Sequence, residues 1–103
     1  MYAYTLWQPR DPHADGFRPW DMVAVRHAHG IDPARYRRVY EGTIDAASPR
    51  EALDGLFIQF NVDHPADLRG WSLSMGDLVT IDGDLYYCDA LGWVAVDWAK
   101  SGS

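Results

Sequence analysis

The run Ser48-Pro49-Arg50-Glu51 commits this chain to one element more firmly than any other stretch does. Ser48 offers a hydroxyl to the unpaired amides of a helix start, and Pro49 suits the first helical position. Glu51, three residues after the cap, completes a capping box. Leu53, Leu56, Phe57 and Phe60 follow at the spacing of one helical face. The pattern predicts a helix whose Leu/Phe stripe, Phe57 included, packs onto a sheet.

The sheet has to come from the rest of the chain. Tyr2 to Trp7 reads as a first strand, aromatic and β-favouring, ending before Pro9. Asp11 to Phe17 reads as a loop. Pro19 can open a second helix ending at Gly30, with Trp20, Val23, Ala24 and His27 on one face. Tyr36 to Ile44 alternates as a strand. Tyr36, Arg38, Tyr40 and Ile44 share one side; Arg37, Val39, Glu41 and Thr43 share the other.

Three more strands follow the capped helix: Leu78 to Ile81, Leu85 to Asp89 and Trp93 to Trp98. Asp82-Gly83-Asp84 is a hairpin turn signal between the first two, and Leu91-Gly92 turns between the last two. The expected fold is α+β: an antiparallel sheet of about five strands, ending in a meander and packed by two helices.

At 103 residues, 48% hydrophobic and 14% aromatic, the chain has the size and apolar content of one domain, 1–103, with residues 99–103 expected to fray. No apolar run approaches the roughly 18 residues of a membrane span. The start, Met1 to Trp7, has no basic leader, and Cys88 is the lone cysteine. Both point to a cytoplasmic protein.

Charge divides the chain. Residues 1–50 hold seven arginines against six acids, whereas residues 51–103 hold only Arg69 and Lys100 against nine acids. An acidic half repels nucleic-acid phosphates and attracts a basic surface on a protein partner.

The densest polar stretch runs from Asn61 to Asp77. Asp63 can cap a short turn opened by Pro65, and Asp67 can pair with Arg69. Gly70 permits a bend before Ser72-Leu73-Ser74. Asn61, Asp63 and Arg69 read as a polar bracket that fixes the loop, with Ser72 and Ser74 bonding nearby backbone.

Phe60, Asn61, Val62, Asp63, His64, Pro65, Asp67, Leu68, Arg69, Gly70, Ser72, Leu73, Ser74 and Asp77 stand in the order of a known family motif. With Val39-Tyr40-Glu41-Gly42 upstream and Tyr86-Tyr87-Cys88-Asp89-Ala90-Leu91-Gly92-Trp93 downstream, the stretch over roughly residues 36–97 resembles the YodL-like domain. That small family is found mainly in bacterial mobile elements and has no firmly assigned activity. Trp71 and Gly76 depart from it, standing where the family often has a polar residue and a serine. The resemblance implies the fold and a mobile-element setting, phage or plasmid.

Catalytic signatures are thin. His27 and His29, two apart, would diverge on a helix, a poor spacing for a shared metal. Cys88, between Tyr87 and Asp89 in a strand, reads as a buried structural thiol. Asp82, Asp84 and Asp89 read as an acidic cluster around a hairpin, where Asp also serves as turn former. We therefore expect no catalytic residue, metal or cofactor.

The expected role is a small acidic protein–protein interaction domain of a mobile genetic element that inhibits a host defence system, of anti-CRISPR or antirestriction type. Its partner would be a host defence nuclease or effector complex, met through Asp82, Asp84 and Asp89 with Trp71 and Trp93 as aromatic anchors. Direct nucleic-acid binding is not expected. Two alternatives stay open: a small hydrolase-like enzyme using Asp63, His64 and Ser72, and a structural self-association domain.

Overall fold

The computed structural model describes residues 1–25, 27–62, 73–90 and 92–99. Strand β1 (Tyr2–Pro9) leads into a one-turn helix α1 (Pro12–Asp15) and a second, α2 (Trp20–Val23). A 3₁₀ turn at Pro33–Arg35 precedes β2 (Tyr36–Ile44), and the long helix α3 (Pro49–Val62) follows. Strands β3 (Leu78–Ile81), β4 (Asp84–Asp89) and β5 (Gly92–Val96) complete the fold. The strands form one antiparallel sheet in the order β2-β1-β3-β4-β5, so the α+β architecture and the C-terminal meander are as expected.

Two apolar clusters hold the sheet, one on each face. Tyr4, Leu6, Val79 and Ile81 point toward α3 and pack with Ala52, Leu53, Leu56 and Phe60. Trp7, Leu78, Leu85, Tyr87, Val94 and Val96 point the other way, under Trp20, Val23 and Ile31. Strand alternation makes this division: neighbouring residues of each strand serve opposite layers.

Helix α3 begins as the sequence requires, with the Glu51 amide donating to Ser48 Oγ at 3.2 Å. Its roll differs from expectation. Ala52 is fully buried whereas Phe57 is 42% exposed. At about 100° per residue, Ala52 and Phe57 lie on opposite flanks of the Leu53/Leu56/Phe60 line, so only one of them can face the sheet. The small alanine lets the helix axis approach closely.

The second expected helix is cut short. α2 spans one turn, and Ala28 and Gly30 then make only turn bonds, to the carbonyls of Val25 and His27. Pro19 supplies no side-chain cap, and Val23, Val25 and His27 are weak helix formers. A run this short depends on packing rather than propensity. Conversely, the expected loop 11–17 contains the turn α1, because the Asp11 carboxylate accepts from the His13 and Ala14 amides.

Strand β2 departs from its expected alternation. The pairing with β1 shifts between Leu6 and Trp7: Leu6 faces Tyr40, but Trp7 faces Arg38, leaving Val39 as the extra residue of a bulge. Tyr36 therefore enters the cluster opposite α3, while Val39, Tyr40 and Ile44 join the cluster beneath it. Gly42 lies across from Tyr4, and a Cβ there would come within 3.0 Å of the tyrosine hydroxyl and 3.2 Å of Cζ. The ring occupies the space that a side chain would need. At the other end of the chain Ala99, expected to fray, donates its amide to the Ile31 carbonyl at 2.8 Å.

These placements make the two phenylalanines of α3 unequal. Phe60→Ala should cost about 3–5 kcal/mol in urea-denaturation stability, and Phe57→Ala less than about half of that. Equal losses would contradict the roll of the helix.

Candidate functional site

The β3–β4 hairpin closes on Asp82 and Gly83, both in the left-handed region with φ of 49° and 95°. That is the geometry of a two-residue primed turn, which Asp-Gly adopts readily. The turn is tied to the start of the sheet. The Asp82 amide donates to the Ala3 carbonyl, and Asp82 Oδ1 accepts from the Ala3 amide, each at 2.9 Å.

Across the next hairpin the register pairs Leu85 with Val96. Just past that pair, Asp84 and Asp97 come to the same end of the sheet and line one cleft. Both are exposed, as is Asp82. A shallow cleft of about 210 Å³ lies beside them, lined among others by Tyr86 and Trp98. None of the three aspartates meets a basic partner among the described residues.

Asp89 does not belong to this group. It closes the far end of β4, five residues and about 17 Å from Asp84. Its Oδ1 accepts from the Trp20 amide at 2.9 Å, supplying the helix cap that Pro19 lacks. The expected cluster of Asp82, Asp84 and Asp89 is thus corrected to Asp82, Asp84 and Asp97. Asp97 was missed because only strand register brings it to the turn.

Trp93 packs half-buried against the α3 cluster. It lines a separate cleft of about 320 Å³ with Asp54, Phe57, Ile58, Cys88 and Ala90. Trp71, the other expected anchor, lies outside the described residues, as do Asp63, His64, Pro65, Asp67, Arg69, Gly70 and Ser72.

The described ends of that motif are bonded into the fold. Asn61 Nδ2 donates to the carbonyls of Phe57 at 2.7 Å and Leu73 at 2.9 Å, joining the last turn of α3 to the chain that returns to the sheet. The Ser74 amide donates to Asp77 Oδ2 at 2.8 Å. The same oxygen accepts from Gln8 Nε2 at 3.1 Å, and both Gln8 and Asp77 are buried. Asp77 also accepts, through its carbonyl, the Cys88 amide at 2.9 Å. One aspartate thereby connects β1, the loop and β4.

Burial pushes the Cys88 thiol up to about 12, and the carboxylates of Asp77 and Asp89 add to the shift. The thiolate that nucleophilic chemistry needs is therefore disfavoured at neutral pH. Burial also raises the Tyr87 phenol, with Tyr36 and Asp89 contributing, and its hydroxyl donates to the Arg18 carbonyl at 2.6 Å. Nothing in these arrangements indicates catalysis.

The family model of the YodL-like domain matches residues 3–98, and the chain belongs to that family. The match extends the likeness carried by residues 36–97 over β1 and the α1–α2 segment. Neither curated proteins nor solved structures give a match.

The raised thiol makes a signed prediction. Between pH 9 and about 12 the unfolded chain releases the Cys88 proton while the folded chain retains it, so stability falls as pH rises. Denaturant melts at about pH 8.5, 9.5 and 10.5 should show that decline, and Cys88→Ala should reduce its slope. Tyr87 adds a similar loss above its ordinary value of 10.0.

Proposed function

We propose that this domain docks onto a basic surface of a protein partner through the sheet end formed by Asp82, Asp84 and Asp97. The observation that carries the reading is the Asp84–Asp97 juxtaposition. Two carboxylates lining one cleft repel each other, and no cation among the described residues pairs with these two. A lysine or arginine from a partner placed between them would gain from both. Tyr86 and Trp98 beside them offer aromatic surface, a common component of binding patches.

Within that reading, the setting is a mobile genetic element and the partner is a host defence nuclease or effector complex, whose nucleic-acid channel is basic. Support comes from the family likeness and from the net charge of −6. Carboxylates presented at one end of a rigid sheet would compete there with phosphates. The domain acts by occupancy, without chemistry of its own.

The test is affinity capture from host cells carrying defence systems, comparing the natural chain with an Asp84→Lys/Asp97→Lys double variant. Both sites are exposed strand-end positions, so folding should be retained. The natural chain should capture a specific partner at about 0.05 M salt and release most of it at about 0.5 M. The double variant should capture none. Retention of the same partner by the variant would rule the acidic surface out.

A further inference from the structure

We infer that the outer edge of β5 is a docking line for an extended, basic segment of a protein partner, which adds a sixth strand to the sheet. The inference deepens the acidic-surface reading and rests on it for the sign of the partner's charge.

The two edges of the sheet are built differently. β2, at one edge, carries exposed Arg37 and Arg38 and is bent by the Val39 bulge. Charged residues and bulges are ordinary means of preventing an edge from pairing with another chain. β5, at the other edge, runs Gly92-Trp93-Val94-Ala95-Val96 with no charge, no proline and an unbroken register to β4.

The hydrogen-bonding groups on that edge can be assigned. The Asp97 carbonyl accepts from the Ile31 amide, and the Ala99 amide donates to the Ile31 carbonyl, each at 2.8 Å. Residues 97 and 99 therefore turn their peptide groups away from β4. Alternation along the strand gives Trp93 and Ala95 the same orientation. Their amides and carbonyls point outward, and no group of the described chain bonds to them there.

The fold leaves room for a strand at this place. Gly30, with φ of 101°, precedes Ile31 at the end of that edge. It passes so close that a Cβ would lie 2.6 Å from the Ala99 nitrogen. Beyond that contact a cleft of about 730 Å³ opens, bordered by Trp20, His27, His29, Ala95, Asp97 and Trp98. An incoming strand would continue the line that Ile31 begins.

Charge selects the occupant. Asp97 and Asp84 mark one end of the free edge, so basic side chains on the added strand would meet carboxylates. A second copy of this chain is disfavoured: pairing two β5 edges would bring together two molecules of net charge −6, from strands that contain no base.

The probes are capped peptides of about eight residues, long enough to span the free edge, alternating Val with Lys or Val with Glu. A third probe is the Lys peptide N-methylated along one edge, which cannot form the ladder. We expect the Lys peptide to bind, with shifts at the Trp93 and Ala95 amides in nitrogen–proton correlation spectra. N-methylation should weaken it by about tenfold or more, through lost main-chain bonds. Ala95→Pro should do the same, since its amide faces outward and proline is tolerated at an edge.

Equal binding of the methylated and unmethylated Lys peptides would overturn the edge proposal and leave the acidic surface standing. Equal binding of the Lys and Glu peptides would instead remove the acidic surface. Concentration-dependent self-association that protects the Ala95 amide would assign the edge to a second copy, and so overturn the proposal. Should Ala95→Pro fail to fold, the methylated peptide decides alone.

Discussion

Strand β1 is the constraint on which the rest of the structure depends. It is hydrogen-bonded on both edges, to β2 and to β3, and it contributes to both apolar layers. Tyr4 and Leu6 face α3; Trp7 faces the opposite cluster, where it meets Trp98 edge-on with ring centroids 5.0 Å apart. A strand used this way has to be apolar on alternate residues of both sets. The first strand thus lies inside a sheet whose edge β5 is the last strand laid down.

Around that strand the polar residues act as ties between distant segments. Asp77 joins Gln8, Ser74 and Cys88; Asp82 joins Ala3; Asp89 joins Trp20; Asn61 joins Phe57 and Leu73. Each pairs backbone or side-chain amide groups, and the Gln8–Asp77 bond does so where both side chains are buried and an unpaired group would carry a penalty. Acidity in the second half of the chain is therefore divided in place. Asp77 and Asp89 bond to other segments of the fold, whereas Asp84 and Asp97 are exposed at the sheet end.

The separation was only half legible in the sequence. Asp82-Gly83 announced its hairpin because few residue pairs accept two successive positive φ values. Ser48 announced α3 because capping is a local hydrogen bond. By contrast, Phe57 and Ala52 are equally compatible with the helical period. Which one is buried depends on the roll of α3 against a sheet assembled from distant strands. The Val39 bulge was hidden for a similar reason: alternation reads the same in either register until a partner strand fixes it. Asp89 looked like a neighbour of Asp84 because the two are close in sequence, yet a strand places them at opposite ends.

By itself the sequence determined the elements: the capped helix, the turn at Asp82-Gly83, the extent of β2, the α+β class and the family motif. These rest on interactions within a few residues. Tertiary structure alone decided how the faces were shared and which charges met. It buried Ala52 rather than Phe57, gave Asp89 to the Trp20 amide, and brought Asp97 to one cleft with Asp84. Among the described residues it also left the outward amides of Trp93 and Ala95 without a strand beside them, because edges exist only once a sheet has been ordered.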